Sequence, residues 1–193
     1  MNIIDVIKKR RSIRKFQSKN VKNEIIKELL KTATKAPSAK NDQPWRFVIL
    51  KNERKDKIAD FMIENANELE KEGCGTGSIK PSAKTIKQAP VLIVVYNTNH
   101  KLYKDVEKKY RDIWRSVDIQ SIGAVIQTLL LASVDKGIGT LWICDIFIAE
   151  EKINSYLKNK EDELVAAISL GYPAEEPPPV KRKHLDEVTE WQT

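Results

Sequence analysis

Residues 10–16 read Arg10-Arg11-Ser12-Ile13-Arg14-Lys15-Phe16, with three arginines, one lysine and one serine hydroxyl in six positions. A guanidinium is planar and permanently charged, and its fork of donors suits bidentate contact with a phosphate. The same cluster also suits a solvated basic surface or an arm that contacts RNA, and the local pattern does not choose among them. The charge around it is uneven. Residues 1–57 hold 17 Lys+Arg against 6 Asp+Glu, a balance of +11. The other 136 hold 17 against 21, a balance of −4, which leaves +7 for the chain. A basic N-terminal third on a near-neutral body points to an anionic ligand or partner at that end.

The 193 residues, 41% hydrophobic and 32% charged, suit a single domain spanning 1–193 or one subunit whose core a partner completes. No run of roughly 18 apolar residues stands out, so a membrane span is not expected. The charged first ten residues lack the apolar core of a secretion signal. Two cysteines, Cys74 and Cys144, fit a reducing compartment. Together these suggest a cytoplasmic protein.

Outward from the arginine cluster, residues 2–10 read as a helix capped by Asn2, with Ile3, Ile4 and Ile7 on one face. A second helix, capped by Asn23, carries Ile25, Ile26, Leu29, Leu30 and Ala33 and ends at Pro37. A loop rich in turn formers, residues 36–44, leads into a strand over 45–50. A helix over 54–71 follows, then a flexible loop at 73–77. Val91 to Tyr96 is a continuous apolar run bounded by Pro90 and Asn97, the pattern of a buried strand. Residues 103–136 read as one helix, apolar on most sides from Val117 onward and stopped by Gly137. Residues 140–143 and 164–170 read as strands around a short helix over 150–157. Glu175 to Pro179 must be extended, and it delivers a second basic cluster, Lys181-Arg182-Lys183. Residues 174–193 thus form an extended arm. Val188 and Trp191 make its end too apolar for a free tail.

Several chemistries are disfavoured. His100 and His184 stand alone, without the spacing of metal ligands, so no metal is expected. No serine sits in a nucleophile elbow. Gly137-Ile138-Gly139 opens like a dinucleotide fingerprint, but Trp142 occupies the place of its third glycine. What remains suits a protein whose bound cofactor carries the reaction while the chain supplies placement.

Four segments then carry a resemblance. Residues 10–16, the loop Ala36-Pro37-Ser38-Ala39-Lys40-Asn41-Asp42-Gln43-Pro44-Trp45, the stretch Gln127 to Trp142, and Leu170-Gly171-Tyr172-Pro173 with Arg182-Lys183 behind it resemble, in order, the motifs of the FMN-dependent nitroreductase family. The resemblance implies an α+β fold, a mostly antiparallel central sheet flanked by helices, in an intertwined homodimer. It implies that Arg10, Arg11, Ser12 and Arg14, with Arg182 and Lys183, hold the FMN phosphate and ribityl chain. Pro37, Ser38, Ala39 and Asn41 would reach the flavin from the other subunit, and Leu141 to Asp145, with Leu141, Trp142 and Ile143 foremost, would line the isoalloxazine ring. Cys144 and Asp145 stand where relatives often have glycine; the bland reading of Cys144 is a small buried hydrophobe. Glu107, Tyr110, Arg111 and Trp114 fall where relatives carry a variable lid.

The implied activity is hydride transfer in two steps, from NADH or NADPH through flavin N5 to a nitroaromatic, quinone or activated alkene. No side chain need act as acid or base. The alternatives are a flavin-destroying or dehalogenating relative, a flavin-bound protein without turnover, and a basic nucleic-acid-binding module. The last expects aromatics interleaved with the arginines, and only Phe16 is present. No nucleic acid or membrane partner is therefore expected.

Overall fold

The computed structural model describes residues 2–192. Four strands, β1 (Trp45–Lys51), β2 (Val91–Asn97), β3 (Gly139–Ile143) and β4 (Glu163–Gly171), form one antiparallel sheet in the order β1-β2-β4-β3. Each expected strand is present, one or two residues longer. The α+β class with a mostly antiparallel sheet agrees with the expectation.

Alternation along β2 builds two cores. Val91, Ile93 and Val95 face helices α2 (Asn23–Ala33) and α5 (Lys108–Asp135). Leu92, Val94 and Tyr96 face α3 (Glu53–Lys71) and α4 (Ile79–Gln88), with Ile146, Ala149 and Ile153 beside them. A strand buried on both faces needs an unbroken apolar run, which residues 91–96 supply. Helix α1 (Ile3–Lys9) packs against α5 through Val6, and α6 (Glu150–Tyr156) packs against α3.

Several local readings need correction. Asn23 is not a cap but the first residue of α2; its Oδ1 accepts from Lys51 Nζ at 2.8 Å, so a contact across the fold took the side chain that capping would have used. The helix expected from 103 begins at Lys108, because Thr98–Tyr103 closes as a tight 3-10 turn and Glu107 is extended. By length and composition α5 is apolar enough to cross a membrane, which corrects the reading that no stretch reaches that threshold. Its buried residues Ile122, Val125, Ile126, Leu129 and Leu130 make it a core helix here. Helix α4 went unread, although Ile79, Ala83 and Ile86 repeat at helical spacing and Pro81 falls in the first turn, where proline is tolerated.

Two glycines position the basic segment. Gly139 and Gly171 face each other across β3 and β4. A Cβ on Gly139 would come within 2.9 Å of Ile13, and one on Gly171 within 2.5 Å of Pro90 and 2.9 Å of Phe16. Their bare backbone is the seat across which residues 12–16 lie. The Ile13 amide donates to the Thr140 carbonyl at 2.9 Å and that of Gln17 to the Tyr172 carbonyl at 2.9 Å. The segment adds to the β3 edge through a parallel bridge between Ser12 and Thr140.

Candidate functional site

Once seated there, the arginine cluster meets the C-terminal arm. Glu175 Oε1 accepts from the amides of Arg14 at 2.6 Å and Lys15 at 3.0 Å, and the Ala174 amide donates to the Lys15 carbonyl at 2.9 Å. One carboxylate thus clamps the arm to the basic segment, and the prolines beyond keep the chain extended. The result is a cleft of about 430 Å³ lined by Arg10, Arg11, Ser12, Arg14 and Arg182, with Ile7, Lys8 and residues 177–180 as its other walls. Two basic clusters some 170 residues apart in sequence converge on one concave surface. Lys183 is exposed and does not line the cleft.

The arginines are not equivalent. Arg11 turns its guanidinium back onto α1, where Nη1 donates to the carbonyls of Lys8 at 2.7 Å and Arg10 at 2.8 Å, so much of its donor capacity is spent on the end of that helix. The Arg14 side chain is exposed, and its Nη1 lies 3.5 Å from the Ser12 carbonyl, at the limit of a hydrogen bond. Its donors are available to a ligand.

Arg14 also lines a second cleft of about 230 Å³, with Ser78, Pro81, Ser82, Thr85 and residues 141–145. Leu141 and Ile143 are buried in the core and present backbone, whereas Trp142 is 37% exposed. Cys144 is exposed rather than the small buried hydrophobe expected, because β3 ends at Ile143 and the chain turns outward. Partial burial, with the Asp145 charge adding to it, pushes its thiol up from its ordinary range. Asp145 is fastened to the first turns of α4: its Oδ2 accepts from Ser78 Oγ at 2.6 Å and Ser82 Oγ at 2.8 Å. Neither serine was singled out in the sequence. Their i, i+4 spacing after a glycine-rich loop was the signal, and it gains meaning only once α4 is placed.

The loop that carries Pro37, Ser38, Ala39 and Asn41 lies elsewhere. Ser38 Oγ accepts from the Gln43 amide at 3.0 Å, and the Ala39 amide donates to Ser121 Oγ on α5 at 3.2 Å. Ala39 lines a third cleft, and none of these four residues lines the arginine cleft or the cleft under Trp142. Trp45 is half-buried against the core.

The arginine-lined cleft thus meets, through Arg14, a ledge at the end of β3, on a four-stranded antiparallel sheet with helices on both faces. The model of the nitroreductase family covers residues 7–172. The chain belongs to the nitroreductase family. This nitroreductase-family chain is 29% identical over 181 residues to a Methanothermobacter thermautotrophicus protein bearing the name NADH dehydrogenase/NAD(P)H nitroreductase, over 92% of this chain and 80% of that one. It is 28% identical over 193 residues to the iodotyrosine deiodinase of Hydra vulgaris, over 93% of this chain and 68% of that one. The crystal structure of a BluB-like flavoprotein from Clostridium difficile 630 shares its fold at a TM-score of 0.79 and 28% identity, over 100% of both chains. The nitroreductase-like fold expected from the four motifs is therefore the fold observed.

Proposed function

We propose that the chain is an FMN-dependent oxidoreductase, acting as a homodimer on NADH or NADPH and a small-molecule oxidant. The observation that carries this reading is Arg14, which lines both the arginine cleft and the ledge at 141–145. A ligand with a phosphate at one end and a planar ring at the other fits that continuity. The donor set supports it, since Arg10, Arg14 and Arg182 answer a dianionic phosphate and Ser12 offers a hydroxyl to it or to a polyol. FMN, when bound, would supply the redox chemistry, hydride transfer between NADH or NADPH and a nitroaromatic, quinone or activated alkene. The chain's own work is placement. Arginines fix the phosphate end, Trp142 and the backbone of Leu141 to Ile143 support the ring, and Asp145 holds that ledge against α4.

Pro37, Ser38, Ala39 and Asn41 lie away from these clefts within one chain, which supports the reading that they serve the flavin of a second copy. Ile3, Ile4 and Ile7 on α1, and Val180, Leu185, Val188 and Trp191 on the arm, are exposed and apolar. A partner subunit wrapped by residues 174–193 would cover them.

The deciding experiment is a visible spectrum of the purified protein, followed by anaerobic reduction with NADH and with NADPH in turn. Flavin absorbance that bleaches on adding a nicotinamide supports the reading; protein that carries no flavin and binds no added FMN overturns it. The kinship with a deiodinase favours one second reading, reductive dehalogenation of a halogenated phenol. Iodide release from iodotyrosine by the reduced protein, without turnover of nitroaromatics or quinones, would select it.

A further inference from the structure

Beyond Arg14 the chain changes its choice of cation. From residue 15 to residue 35 it carries six lysines, Lys15, Lys19, Lys22, Lys27, Lys31 and Lys35, with two glutamates and no arginine. All six are exposed, and none forms an ion pair among the described residues. Glu28 is taken at 2.5 Å by Lys136 from the end of α5, which brings a further ammonium beside α2. None of the six lines the arginine cleft or the cleft under Trp142, so the flavin reading leaves them without a role.

The row is held in place along its length. Lys19 Nζ stands 4.2 Å above the Tyr172 ring. Lys51 Nζ donates to the Val21 carbonyl at 3.0 Å and to Asn23 Oδ1 at 2.8 Å, which pins the end of the basic segment to the start of α2. Lys27 and Lys31 stand one turn apart on α2, Lys35 continues their spacing past its end, and Ile26, Leu29 and Ala33 are buried behind them. Like charges one turn apart weaken a helix, and no carboxylate of the chain offsets these. The choice of lysine is itself informative. A guanidinium fork suits a fixed phosphate, whereas an ammonium is a compact, hydrated point charge on a flexible stem, suited to long-range attraction and quick release. Bases stacked on aromatic rings would need rings in the row, and Phe16, the aromatic residue of this stretch, is half-buried beneath it.

We infer that this lysine face is the docking surface of a small acidic electron-carrier protein, a second source of electrons for the flavin. The inference rests on the flavin reading above. Continuity with the site points to a redox partner: Lys15 follows Arg14, which lines both flavin clefts, so a carrier on the row is brought against the segment that borders the flavin. Electron-transfer encounters bury little surface and are steered by opposed charge. An iron–sulfur carrier gives up one electron at a time. Two reduced carriers are therefore oxidised for each flavin, which takes up the two electrons with two protons from water.

Anaerobic stopped-flow mixing of the flavin-loaded protein with a pre-reduced plant-type [2Fe–2S] ferredoxin, freed of excess reductant, tests it through the bleaching of flavin absorbance. The second-order rate at about 20 mM salt should exceed that at about 0.5 M by about tenfold or more, because salt screens the steering. Combining Lys27→Glu, Lys31→Glu and Lys35→Glu should lower the low-salt rate about tenfold, with flavin content and bleaching by nicotinamide unchanged. Lys158→Glu with Lys160→Glu, exposed beyond α6 on the other face of the sheet, should change it by less than about threefold. Should the triple variant fail to fold, Lys15→Gln with Lys22→Gln reads the other end of the row and should lower the rate about threefold. Protein that nicotinamide bleaches but ferredoxin does not, a rate independent of salt, or equal losses from the α2 and α6 reversals would overturn the inference and leave the flavin reading standing. So would a triple variant that loses heparin binding at an unchanged ferredoxin rate, which would make the face a nucleic-acid surface. Protein without flavin would overturn both.

Discussion

Replacing Arg14 by alanine separates recognition of a phosphate from recognition of a ring. The Arg14 backbone amide is held by Glu175 Oε1 at 2.6 Å, a bond that alanine keeps. Its exposed guanidinium makes one marginal contact, 3.5 Å to the Ser12 carbonyl. Truncation should therefore cost the fold no more than about 0.5 kcal/mol, as for other exposed positions. A hydrogen bond between a guanidinium and a phosphate contributes about 1.5–3 kcal/mol, which converts to about 10- to 150-fold in Kd. Titrating apo-protein with FMN and with riboflavin, by quenching of flavin fluorescence, reads this directly. FMN affinity should fall by that factor and riboflavin affinity by less than about threefold. Added salt should narrow the FMN difference, because an exposed ion pair is screened. If both ligands weakened equally, Arg14 would be supporting the ledge at 141–145 rather than a phosphate. If neither changed, the arginine cleft would not be the phosphate site.

Three further outcomes follow from particular contacts. Glu175→Ala removes the acceptor shared by the amides of Arg14 and Lys15; trypsin should then cut faster at Lys181, Arg182 and Lys183, and FMN should bind about tenfold more weakly. An unchanged cleavage rate would show that the prolines alone hold the arm. Asp145→Asn removes a negative charge from the cleft beneath Trp142, so the two-electron midpoint potential of bound flavin should rise by about 20–40 mV, equivalent to about 1–2 kcal/mol. A spectroelectrochemical titration that shows no rise would place Asp145 away from the ring. Burial pushes the Asp118 carboxyl up, so its folded pKa lies above the unfolded one; its ionisation costs stability as pH rises through that interval, and the cost is absent below the unfolded value near 3.9. Any Tm advantage of Asp118→Asn over the native chain should shrink as pH falls from about 7 toward about 4; a difference independent of pH would mean that packing, not charge, sets it.

How far the residues alone carried the reading differs from feature to feature. Residues 91–96 read plainly as a doubly covered strand, since a six-residue apolar run bounded by Pro90 and Asn97 is too short for a buried helix. The burial of α5 was equally plain, because from Val117 onward it is apolar on most sides. Helix α4 was missed because its lysines masked Ile79, Ala83 and Ile86. The cap at Asn23 failed because Lys51, 28 residues away, claimed the same oxygen. Cys144 is exposed because the chain turns outward after β3, which no local pattern records.

By itself, the sequence determined which elements form, which faces they bury, and that two arginine-bearing segments exist, because periodicity, turn chemistry and charge are local properties. Only the tertiary structure decided that those segments meet. Gly139 and Gly171 must face each other across paired strands before Ile13 and Phe16 can lie over them, and only then does Glu175 reach the amides of Arg14 and Lys15. The same holds for Asp145, bonded to serines more than 60 residues earlier, and for Asp118, whose burial follows from what the fold packs around it. Charge and hydrogen-bond satisfaction depend on neighbours in space, and those neighbours are chosen by strand register and helix packing.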